Sequence, residues 1–139
     1  MASIIYNQFM NNLAAKALDW DSDDVRCALL TNNCTGDKDH TAWSDISADE
    51  VSGTAYSTGG KQMTGLSITE YSSNDRVKLD ADDVTWQTSN ITAYYACLYD
   101  SSVTNHLIAL IDFGDTKESD GGDFTIQWST AGIIVMQQS

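Results

Sequence analysis

No proline occurs anywhere in the sequence. Tight turns must therefore be made by glycine, Asn and Asp, which reach left-handed backbone or bond their own main chain. Positive charge is also scarce. Seven Lys and Arg stand against 20 Asp and Glu, for a formal net charge of −13 over 139 residues. The bases Lys16, Arg26, Lys38, Lys61, Arg76, Lys78 and Lys117 lie scattered. Proteins that grip a nucleic-acid backbone cluster theirs, so the composition argues against direct DNA or RNA binding. A strongly negative surface favours solubility and discourages unwanted self-association.

Long apolar runs are missing too. A stretch such as Leu107-Ile108-Ala109-Leu110-Ile111 is far shorter than the roughly 20 residues a membrane-spanning helix needs, so no membrane contact is expected. The start, Met1-Ala2-Ser3-Ile4-Ile5-Tyr6-Asn7, shows no basic segment followed by an apolar one, hence no visible secretory signal. Cysteine is limited to Cys27, Cys34 and Cys97, an odd number without a Cys-x-x-Cys pair. Free thiols in a reducing compartment are the expectation, with Cys27 and Cys97 as small core residues. The triplets Asn33-Cys34-Thr35 and Asn90-Ile91-Thr92 match a glycosylation acceptor only in form.

What is present reads as one domain over residues 1–139, with a helical segment (1–18) ahead of a β-rich body (19–139). From Ile4 to Leu18, Tyr6, Phe9, Met10, Leu13, Ala14 and Ala17 recur at helical spacing, with Ser3 placed to cap. A single amphipathic helix must bury its stripe, either on its own domain or on a partner subunit. The acids from Asp19 to Asp24 end it. Val25–Leu30 reads as a buried strand, and Ser47-Ala48-Asp49-Glu50 has capping-box spacing for a short turn. Irregular chain with Gly53, Gly59 and Gly60 follows, part of it folded over the core by Trp43 and Tyr56. Further strands are expected at 61–71, 77–79, 84–87, 91–99, 107–113, 124–128 and 133–136. Turns are expected at 72–75, 100–102 and 119–122. The pattern predicts a mainly β fold, an antiparallel β-sandwich or jelly-roll-like domain preceded by one N-terminal amphipathic helix.

Motifs that carry chemistry fail on inspection. Asp19-x-Asp21-x-Asp23 begins like a calcium loop, but the sixth and twelfth positions hold Asp24 and Leu30 instead of Gly and Glu. His40 and His106 belong to no metal-spaced cluster. No Gly-x-Ser-x-Gly occurs, and Cys34 has no recognisable base. Ser57-Thr58-Gly59-Gly60-Lys61 lacks the phosphate-loop spacing. Neither catalytic residues nor a cofactor or metal is therefore expected. Trp20, Trp43, Trp86 and Trp128 suit a core or an interface, and next to acids and amides they could form a sugar platform.

Several stretches together carry a resemblance. They are Asp24-Val25-Arg26-Cys27-Ala28-Leu29-Leu30-Thr31, Asp39-His40-Thr41-Ala42-Trp43-Ser44-Asp45-Ile46, Glu50-Val51-Ser52-Gly53-Thr54-Ala55-Tyr56, Leu79-Asp80-Ala81-Asp82-Asp83-Val84-Thr85-Trp86, and Ile111-Asp112-Phe113-Gly114 with Phe124-Thr125-Ile126-Gln127-Trp128. The chain from Asp24 onward resembles small virion proteins of tailed bacteriophages, and in size, acidity and β content it is similar to head decoration (cement) proteins. The resemblance implies a non-enzymatic protein of the virion, made in the host cytoplasm, that binds the major capsid protein and self-associates as a homotrimer. A neck or tail subunit and a virion-surface carbohydrate-binding module are the alternatives. Tyr6, Phe9, Met10, Leu13, Trp43 and Trp128 are the candidate subunit or core contacts.

Overall fold

The computed structural model describes residues 3–138. The chain is mainly β, with two antiparallel sheets and one N-terminal helix. Strands β1 (Ile4–Ile5), β2 (Val25–Leu30), β3 (Lys61–Gln62), β6 (Val84–Asp100) and β7 (His106–Ile126) form a five-stranded sheet in the order β1-β7-β6-β2-β3. Strands β4 (Ser67–Tyr71), β5 (Arg76–Asp80) and β8 (Ile134–Gln137) form a second sheet in that order.

The centre of the large sheet is apolar on both faces because β2, β6 and β7 read as continuous hydrophobic runs rather than alternating ones. On one face Val25, Cys27, Leu29, Ala96, Leu98, Ile108 and Ala109 meet Leu79 of β5 and Ile134 of β8. Phe9, Leu18 and Trp20 complete that core. On the other face Ala28, Leu30, Tyr95, Cys97, Leu107 and Leu110 are covered by Tyr6, Cys34 and Ile46. The second sheet thus forms one outer layer, and the loop after β2, with its single 3-10 turns Trp43–Asp45 and Ser47–Asp49, forms the other. Ala28 pairs with Cys97 and Cys27 with Leu98. Neighbouring residues along a strand point to opposite faces, so the Cys27 and Cys97 thiols lie in different core layers. All three cysteines are free and buried.

The 4–18 helix is shorter than expected. Ile4 and Ile5 instead pair with Leu110 and Ala109 at the edge of β7. Helix α1 spans only Asn7–Ala14, its N-cap is Tyr6 and no side chain caps it. It ends where Lys16 turns left-handed (φ 61°) and Ala17 N–H bonds the Asn12 carbonyl at 2.9 Å, a left-handed helix stop.

The expected strand at 61–71 is interrupted, leaving β3 and β4 separate. The strands expected at 84–87 and 91–99 are one, as are those at 107–113 and 124–128. Ser119–Gly122 lies within β7 rather than at a turn. Register shifts absorb the irregular residues. The buried Ser89 hydroxyl bonds the Trp86 carbonyl (3.0 Å), Ser119 Oγ (2.8 Å) and the Gly122 carbonyl (3.2 Å). These contacts stitch the two long strands through their bulges.

Candidate functional site

The six candidate contact residues divide between core and surface. Tyr6 is fully buried under the loop layer, and Phe9 is buried in the main core with Leu13 packed against it. Met10 points away and is 54% exposed. Trp43 is half-buried, its ring stacked on Tyr99 with centroids 5.1 Å apart and planes 9° from parallel. Its main-chain N–H bonds the Asn105 carbonyl at 2.8 Å. Trp128 follows the end of β7. Its backbone N–H donates to Asp83 Oδ1 (2.9 Å) and its indole N–H to the Asp82 carbonyl (3.0 Å). With both donors satisfied, the ring is held as a fixed, half-exposed apolar wall.

That wall closes one end of a groove of about 530 Å³ lined by Ile111, Phe113, Phe124, Ile126, Trp128 and Ile133, with Lys117, Glu118 and Asp123 at its rim. A second hollow, also about 530 Å³, is lined by Ile4, Ile5, Met10, Ala109 and Ile134 and shares Ile111 and Ile133 with the first. The two form one apolar trough from α1 to Trp128, between the outer edge of β7 and strand β8. Among the described residues the large hydrophobic side chains left exposed are Ile5, Met10, Ile68, Val135 and Met136. All belong to β1, α1 or the small sheet; Ile5 and Met10 line the trough, and Ile68 and Met136 line a separate hollow beside Leu13 and Leu18. Contiguous exposed apolar surface marks a place where something docks.

Both walls carry an open strand edge. Among the described residues, strand β7 pairs outward with β1 only at Ala109 and Leu110, and β8 pairs only with β5. Neither open edge nor the trough is visible in a linear pattern, because the sequence shows which residues are apolar but not which strand lacks a neighbour. The apolar run Ile133–Met136 was the available signal.

The chemically reactive residues are dispersed or occluded. Burial pushes the Cys27 thiol up to about 12 and the Cys34 thiol up to about 11, so both stay protonated and unreactive at neutral pH. His106 Nδ1 lies 2.9 Å from Asn12 Nδ2 and helps anchor α1. His40 sits in the loop layer. Nearby, the Asp45 carboxylate accepts the main-chain N–H groups of Thr41 (2.9 Å) and Ala42 (3.1 Å), which hold it below the usual carboxylate range. Among the described residues no group of three or more His, Cys, Asp or Glu is placed to hold a metal ion. The acids from Asp19 to Asp24 instead serve the local fold. The Asp19 N–H bonds Asp23 Oδ2 at 2.9 Å, and Asp24 meets Arg26 at 3.1 Å.

One carboxyl is out of place. Asp100, at the end of β6, is fully buried. Its Oδ1 accepts the Ser102 N–H at 2.9 Å, and among the described residues none donates to Oδ2. Burial and the adjoining Asp23 carboxyl push it up to about 7. Comparison with family models, curated proteins and solved structures finds no match.

Proposed function

We propose that this chain is a structural protein of a tailed-bacteriophage virion that decorates the head, docking on the major capsid protein through the β7–β8 trough. The observation that carries the reading is the trough itself: continuous apolar surface between two open strand edges on a body with a net charge of −13. The family resemblance in the stretches from Asp24 to Trp128 supplies the partner.

The physics suits the role. The acidic surface keeps free copies apart at the concentrations of assembly. Two packed cores keep the body rigid, so little ordering entropy opposes docking. A rigid module that binds only the mature shell stabilises it by mass action, by about 2.7 kcal/mol per site at a hundred times its dissociation constant. A site on a local three-fold axis of the shell would gather three copies.

The test is a pelleting assay with purified mature shells that lack the protein. Saturable co-sedimentation is expected, with a fixed number of copies per capsid protein and at least ten-fold weaker uptake of a Trp128→Ala, Met10→Ser double variant. Shells that take up nothing, or a double variant that binds as the parent does, would overturn the reading. Recovery of the protein only in isolated tails would move it to the neck or tail.

A further inference from the structure

We infer that the outer edge of β7 accepts a basic, extended segment of a partner protein as an added antiparallel or parallel strand. From Lys117 to Ile126, β7 pairs β6 on one side, while residues 113–116 bulge out and the Gly114 and Thr116 N–H groups bond Asp112 Oδ1 and Asp115 Oδ1, each at 2.7 Å. Among the described residues no other strand reaches its far side. An unpaired row of backbone N–H and C=O groups is a template for another chain. Beside it lies the trough, whose Phe113, Phe124 and Trp128 would take alternate side chains of the incoming strand. Backbone bonds with pockets for every second side chain are the elements of strand addition.

Charge selects the occupant. Between Phe113 and Ile126 the strand carries Asp115, Glu118, Asp120 and Asp123 against the single base Lys117, and all five are exposed. Like charges placed opposite each other across strands are destabilising, so this edge repels the β7 edge of a second copy. The same row attracts a strand bearing Lys or Arg. The remainder of the chain, itself short of bases, cannot supply one. Glycines at 114, 121 and 122, beside which an added Cβ would meet nothing within 4 Å, leave the edge clear for close approach of another backbone.

The inference rests on the docking reading only for the identity of the partner, since the capsid protein would provide the strand. The edge itself is tested without any shell. The probe is a capped ten-residue peptide of alternating Lys and Val, titrated into the full chain and followed by amide hydrogen exchange. The expected result is new protection confined to residues 117–126. The E118K/D120K variant should bind at least about five-fold more weakly, through two reversed exposed charge contacts. The D21K/E70K variant, with the same change in net charge, should bind within two-fold of the parent. Equal weakening of both variants would show bulk attraction and overturn the inference. So would protection at β4 or β8, absence of binding at 1 mM peptide, or protection of 117–126 that rises with protein concentration alone, which would mean a second copy. A peptide that fails while shells still pellet the protein removes strand addition and leaves shell docking. Shells that fail while the peptide binds do the reverse.

Discussion

Replacing Asp100 with Asn should make the protein more stable at pH 8, and less than half as much so at pH 5. Asp100 ends β6, opposite Val25 of β2 and His106 of β7, and is completely enclosed. The charged groups acting on it are Asp23 and Asp24 ahead of β2, and Asp24 is engaged by Arg26. His106 is engaged by Asn12. Asp100 therefore keeps its proton up to about pH 7, against an ordinary value of 3.8. A raised folded-state value means that the folded chain binds a proton the unfolded chain has released. The associated stability is complete below about pH 4 and is lost as pH rises through about 7. At about 1.4 kcal/mol per pKa unit, a rise of some three units bounds the loss at about 4 kcal/mol. Relaxation and water penetration around the ionised carboxyl lower the penalty, to about half of that. Asparagine keeps the acceptor for the Ser102 N–H and offers Asp23 an N–H at every pH. Urea unfolding at pH 5 and pH 8 measures the difference. D100N should gain about 2 kcal/mol at pH 8, with a flatter pH profile than the parent. A variant less stable than the parent at pH 8, or a parent equally stable at both pH values, would refute the reasoning.

Four other outcomes follow from the packing. Tyr6→Phe removes a buried hydroxyl that has no partner, so thermal melts should show no loss and up to about 1 kcal/mol of gain, whereas Tyr6→Ala should cost about 3–5 kcal/mol. Gly60→Ala should prevent folding, because φ is +80° and a Cβ would lie 2.1 Å from the Cys27 carbonyl oxygen; Gly121→Ala, at φ +78° in open space, should cost only about 1 kcal/mol by urea titration. Ser89→Ala should cost about 1–3 kcal/mol by freeing its three partners in the β6–β7 bulges, and should raise exchange at the Ile91 amide, which bonds Ser119 Oγ at 3.1 Å. Deleting residues 1–18 removes β1, α1, Tyr6, Phe9 and Leu18 from both core layers, so the remainder should aggregate; an unchanged melting point would show the segment to be dispensable.

The antiparallel β character was legible because Val25–Leu30, 91–99 and 107–113 are dense in β-branched, aromatic and buried apolar residues. The turn at 72–75 was legible from its Ser, Asn and Asp content, and Asp75 does adopt a left-handed φ of 52°; the turn expected at 100–102 begins at Ser101, with Asp100 still in β6. Helix length was not. Periodicity at 3.6 residues counts Tyr6, Phe9 and Leu13 but is blind to the β7 edge that captures Ile4 and Ile5 as a strand. Ser119-Asp120-Gly121-Gly122 has turn chemistry and sits in a strand, because Ser89 and the Asn90 side chain, whose Oδ1 accepts the Gly121 N–H at 2.7 Å, supply partners from the facing strand. Met10 and Trp128 could be picked out as apolar, but their joining along one trough depends on β8 arriving from the far end of the chain. Asp100 looked like a turn residue, and its enclosure is a property of three strands meeting.

The most direct measurement is electron cryo-microscopy of the virion that carries this protein, at a resolution sufficient to place a backbone. Density for the chain is expected on the outer surface of the head, with Met10, Phe113 and Trp128 facing the capsid protein. Density confined to the neck or tail, or a head-bound chain with the β7–β8 trough turned to solvent, would contradict it.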